Sequence, residues 1–185
     1  LEEPLDSRDY AGNAALKKYS KVKISGAELN YGWDEIKIML EKDCFHIYQP
    51  DATFAGGIAQ VKQVIDACRE KKRLYTPHTW TNGIGFYVNW NMVLADRGNK
   101  LPLEYPFEPP SWIPEFRDGI IDPIIPDKNA YLAPFRTPGL GFAVNKKLLR
   151  KYGTRFFKLT ETGLKIKVIR EKGLKTALEL KKRKG

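Results

Sequence analysis

Six residues have types and a spacing that could do chemistry: Glu2, Glu3, Glu28, Asp51, His78 and Glu104. Counted from Glu2, the intervals are 26, 23, 27 and 26 residues. Each interval holds one strand, one helix and two short loops, so the recurrence sets an ionisable side chain at the C-terminal end of each successive strand. Alone, Asp51 could be a turn residue or a helix cap, and a single His could be structural. Scattered surface acids have no reason to keep a period, so a ring explains these residues better. Two or three carboxylates from adjacent strands suit a hard divalent cation, Mg²⁺ first, which takes oxygen ligands and leaves positions open for water or substrate. A His beside such a ring is a candidate general base. An Asp one strand earlier can orient it and raise its basicity.

The elements that must position this ring alternate along the chain. KVKIS (21–25), CFHIYQ (44–49), RLYT (73–76) and LPLEYP (101–106) read as short strands. WDEIKIMLEK (33–42), IAQVKQVIDACREKK (58–72) and GFYVNWNMVLADRG (85–98) read as helices, the last closed by its glycine. Repeated β-loop-α units predict a parallel sheet with crossover helices, and in a β/α barrel the strand ends form one functional rim. His46 falls inside a strand, away from the rim, and is expected to be packing or surface. After residue 106 a Pro-rich stretch, FEPPSWIPEF, breaks the pattern, and a helical look returns near Asn145. Trp80 and Trp112 could border a pocket or simply pack, and neither is given a role.

The net charge of +10 would suit nucleic acid, but it is concentrated at one end. From Lys146 onward there are 15 basic residues against 3 acidic, leaving 17 basic and 19 acidic before it. In GLKTALELKKRKG the apolar positions follow helical spacing, so a solvated basic helix face is expected, and no aromatic-interleaved RNA motif accompanies it. No apolar run of about 18 residues offers a membrane span. Cys44 and Cys68 lack metal-type spacing and read as buried thiols of a reducing, cytoplasmic setting. The chain opens on LEEPL without a Met, in what reads as mid-strand, so a preceding segment is expected.

LEEP, SGAE, PDATFAGG, PHTW, LEYP and APFRTPGLG, in this order and spacing, resemble the C-terminal half of an enolase-superfamily enzyme of the mandelate racemase and muconate lactonizing type. The resemblance runs from Leu1 to about Gly153. It implies an α/β fold: roughly strands four to eight of a modified TIM-type barrel over residues 1–135. An exit segment and basic tail would follow over 136–185, packing toward a capping domain. It implies Glu2 and Glu28 as Mg²⁺ ligands, with Glu3 as an outer supporting carboxylate, Asp51 and His78 as a dyad, and Glu104 as the acid of the last strand. The implied reaction is abstraction of the proton alpha to a carboxylate. It most often serves dehydration of a sugar acid to a 2-keto-3-deoxy acid, a carbon-oxygen lyase reaction. His78 would take the proton or protonate a leaving hydroxyl, and a protonated Glu104 would donate a hydrogen bond to the enediolate.

The sequence departs from the family in what is missing. Strands one to three, a third metal carboxylate, a lysine pair and the capping domain are absent from it. Five strands cannot close an eight-stranded barrel and would leave parallel edges exposed. A complementary N-terminal half, on the same chain or another, and a homo-oligomer are therefore expected partners beside the small-molecule substrate. Racemisation or epimerisation remains open, as does an inactive half-barrel that serves as an interaction module.

Overall fold

The computed structural model describes residues 1–135, 137–154 and 160–182. By contacts the chain divides into two compact units, Leu1–Lys146 and Lys147–Gly185. In the first unit, helices α1 (Tyr10–Tyr19), α2 (Gly32–Glu41), α3 (Ile58–Glu70) and α4 (Gly83–Ala95) alternate with β1 (Ser25–Gly26), β2 (Ile47–Tyr48) and β3 (Leu74–Tyr75). A single turn, α5 (Pro114–Arg117), follows. The strands form one parallel sheet in the order β1-β2-β3, with Ser25 paired to Ile47 and Ile47 to Leu74. Residues 1–3 extend it: Ser25 N–H donates to the Leu1 carbonyl at 2.9 Å and Glu3 N–H to the Ser25 carbonyl at 3.0 Å. The observed architecture is thus α/β with a small parallel sheet.

Helical spacing of apolar residues explains α2 and α3. Ile36, Met39 and Leu40 form the inner face of α2, and Val61, Val64, Ile65 and Cys68 that of α3. Both faces close over Ile24, Phe45 and Tyr48 in one buried core. A second cluster gathers Phe86 and Trp90 of α4 with Ile121 and Ile124. Inside it the fully buried Arg117–Asp118 pair, 2.6 Å apart, sets its guanidinium 4.6 Å from the Tyr105 ring centroid.

Four sequence expectations change. The ladders are two residues long, and Lys21, Val22 and Lys23 lie exposed before β1 begins. Residues 101–106 form no strand. Pro102 and Pro106 have no N–H to give a ladder, and Thr hydroxyls reach the carbonyls of Pro102 and Glu104 instead, at 3.0 and 2.7 Å. The third helix ends at Ala95, before Gly98, with Asp96 as its C-cap. Helix α1 had no counterpart in the apolar pattern, because its buried positions are Asn13 and Lys17. Lys17 is held by Asp43, which also takes Arg73 Nε at 2.6 Å.

In the second unit α6 spans Lys146–Tyr152 and α7 Glu161–Lys182, the latter broken at Gly173, whose φ is 81°. The end of the expected basic helix, residues 183–185, lies outside the described residues. Among the described residues no helix is long and apolar enough to cross a membrane. Cys44 and Cys68 are buried free thiols, and burial pushes them up to about 11 and about 12.

Gly26 is required by close packing, since a Cβ there would stand 2.6 Å from the Phe45 ring. Gly26→Ala is expected to cost about 1–3 kcal/mol through overpacking. In a Phe45→Leu background the same change should cost measurably less. Urea-unfolding midpoints of the four proteins test this, and equal costs in both backgrounds would contradict the contact.

Candidate functional site

Glu28 follows β1, Asp51 follows β2 and His78 follows β3, so the parallel register brings them to one end of the sheet. Asp51 is fully buried, and its two oxygens have separate partners. Oδ1 accepts from Thr53 N–H at 2.7 Å, Thr53 Oγ1 at 2.7 Å and Asn89 Nδ2 at 2.8 Å. Oδ2 faces His78 Nδ1 at 3.1 Å. Burial alone would raise the Asp51 carboxyl, but the hydrogen bonds from His78, Asn89 and Thr53 outweigh it and hold the group below its ordinary value. The Asp51 contact lifts the His78 imidazole above its ordinary value against the opposing effect of burial, with Glu28 and Glu104 adding to the rise. An ionised Asp51 opposite Nδ1 leaves Nε2 as the nitrogen turned toward Glu28, whose Oε2 is 3.9 Å away.

The remaining acids surround this pair. Glu104 Oε2 accepts from Thr79 N–H at 2.8 Å, one residue beyond His78. Glu2 Oε1 accepts from the buried Gln49 amide at 2.6 Å. Glu3 Oε1 accepts from Ala27 N–H at 3.1 Å and so anchors a left-handed backbone position, φ 83°, next to Glu28. Burial raises the Glu28 carboxyl; His78 opposes this, and Glu3, Glu2 and Glu104 push it further up. Among the described residues no group of three His, Cys, Asp or Glu side chains is arranged to hold a metal ion. Positive charge near Glu28 would relieve the rise that burial and the neighbouring acids impose on its carboxyl, and carboxylate oxygens are the donors a hard cation takes.

His46 lies away from these groups, its Nδ1 accepting from Ile24 N–H at 3.0 Å. Trp80 and Trp112 stack on each other with centroids 6.3 Å apart. Sequence reasoning missed Thr53, Thr79, Gln49 and Asn89. Asp-x-Thr after a strand is a local turn signal that points to Thr53. Asn89 could have been noticed as an amide on the buried side of an apolar helix, GFYVNWNMV.

Asp51→Asn removes a charge that accepts from Thr53 N–H and Oγ1, Asn89 Nδ2 and His78 Nδ1, and is expected to lower stability by about 1–3 kcal/mol near neutral pH. The folded-state carboxyl lies below its unfolded value. The wild-type advantage is therefore complete above the unfolded value, roughly pH 4, and fades as pH falls through the folded-state value. Urea titrations of both proteins from about pH 7 to about pH 2 read the difference; one that does not shrink at low pH refutes the assignment.

Known proteins place the chain in a family. Residues 1–148 match the enolase C-terminal domain-like family. A D-galactonate dehydratase of Verminephrobacter eiseniae is 25% identical over 156 residues, which is 80% of this chain and 39% of the relative. The 3,6-anhydro-D-galactonate cycloisomerase from Zobellia galactanivorans is 31% identical at a TM-score of 0.69, over 82% of this chain and 41% of its own. The L-talarate dehydratase from Polaromonas sp. JS666, solved with Mg and L-glucarate, shares the fold at a TM-score of 0.65 and 21% identity, over 80% of this chain and 38% of its own. The chain thus spans about two-fifths of the length of these relatives. The match over residues 1–148 shows that the chain belongs to the enolase superfamily, of the mandelate racemase type, and corresponds to the family's C-terminal domain.

Proposed function

We propose that this chain forms the C-terminal part of a β/α barrel that abstracts the proton alpha to the carboxylate of a sugar acid and dehydrates it to a 2-keto-3-deoxy acid. The observation that carries this reading is the 3.1 Å contact between Asp51 Oδ2 and His78 Nδ1 at the end of the sheet. A neutral His78 held in this way presents an unprotonated Nε2 toward the ring of acids, as a general base requires. Having taken the alpha proton, the imidazolium is stabilised by Asp51 and can return a proton to the departing β-hydroxyl as water leaves. Glu104, pinned through Thr79, stands beside His78 to donate a hydrogen bond to the developing enediolate when it carries a proton. Glu2 and Glu28 would hold Mg²⁺, with Glu3 supporting the backbone beside Glu28. When bound there, the ion would supply Lewis-acid stabilisation of the negative charge that builds on the substrate carboxylate.

The short coverage of the relatives supports a complementary N-terminal half as a partner that completes the ligand set and the barrel. Exposed parallel edges favour association into a homo-oligomer. Specificity for one sugar acid would come largely from outside this chain.

The test is a screen of sugar acids with the complete protein, with and without Mg²⁺, with His78→Asn beside it. Mg²⁺-dependent formation of a 2-keto-3-deoxy acid is expected, falling by about 100-fold or more in the variant. Inversion at the alpha carbon with no keto acid formed would assign racemisation or epimerisation instead. A complete protein that neither exchanges an alpha proton nor turns over any sugar acid would leave the half-barrel an interaction module.

A further inference from the structure

We infer that Asn89 is a positioning residue of the Asp51–His78 pair, a role that rests on the proton-abstraction reading above. Asn89 is fully buried in α4 and touches both members. Its Nδ2 donates to Asp51 Oδ1 at 2.8 Å and to the His78 carbonyl at 3.2 Å, while its Oδ1 accepts from Ala52 N–H at 2.9 Å. The orientation of the amide follows from chemistry. Turned over, it would set NH₂ against an N–H and its oxygen against a carboxylate and a carbonyl.

These contacts fix what the Asp51 side chain can do. Together with Thr53, Asn89 fills Oδ1 with donors and leaves Oδ2 for His78 Nδ1. Through Ala52 it holds the chain just after Asp51, and through the His78 carbonyl it holds the chain at the base itself. One side chain thereby sets the distance between two loops that are 27 residues apart. Asn91 of the same helix gives a built-in contrast, because its amide donates instead to the carbonyls of Tyr87 and Leu140.

The test uses Asn89→Asp and Asn89→Leu in the complete protein, with Asn91→Ala as control. Asn89→Asp keeps the shape and the acceptor for Ala52 N–H but places oxygen where the donor stood. For both Asn89 variants kcat is expected to fall about 10- to 100-fold while KM moves less than about threefold, the mark of lost alignment and not lost binding. Asn91→Ala should leave both parameters unchanged. Imidazole nitrogen shifts read the same contact without turnover, with the His78 signal assigned by its loss in His78→Asn. The wild type should show a protected Nδ1 proton on His78 that the Asn89 variants lose. A kcat within about twofold of wild type, with that proton retained, overturns the role. Failure of both Asn89 variants to fold cooperatively also overturns it, by making the residue structural. If the wild type turns over no sugar acid yet the variants lose the proton, the reaction reading fails and the positioning stands.

Discussion

A carboxylate carried out of water must be given hydrogen bonds to replace those it leaves, and Asp51 is the group on which the rest of this site depends. Its side chain is fully buried, so every lone pair that water would have met must meet a protein donor. Thr53 supplies two donors from the turn that Asp51 itself begins, Asn89 supplies one from α4, and His78 faces the last oxygen from the next strand end. Removing any of these leaves the charge short of a partner in a place that cannot recruit solvent. The same requirement that keeps Asp51 ionised therefore fixes the imidazole beside it.

The placing of Glu28, Asp51 and His78 was legible in the sequence because strand-end side chains repeat with the length of one βα unit, and these three do lie at the ends of β1, β2 and β3, whereas Glu104 follows no strand. Helices α2 and α3 were legible for the same kind of reason, since their inward faces are apolar at helical spacing. Helix α1 was not, because Asn13 and Lys17 fill its buried positions and a hydrophobic pattern cannot register polar ones. The strands were read too long: β propensity in KVKIS or LPLEYP says nothing about whether a neighbour offers matching donors and acceptors. Asn89 was hidden because its importance lies in three partners that only the tertiary fold assembles.

Charge organises the site on two scales. Close in, Asp51 and His78 each favour the charged form of the other. Farther out, Glu2, Glu3 and Glu104 all disfavour the ionised form of Glu28. Burial is the larger cause of the rise at Glu28, and the nearby acids add to it. The basic residues of the sequence are concentrated from Lys146 onward.

Helix α4 lends Phe86 and Trp90 to the second core cluster and Met92 to the first, and carries Asn89 between them. A helix committed on several sides has little freedom to drift, so it acts as a fixed jig against which the strand-end loops are held. Change in this lineage is then channelled unevenly. A substitution in α4 is felt at once in both cores and at the Asp51–His78 pair, and is the kind that selection would remove first.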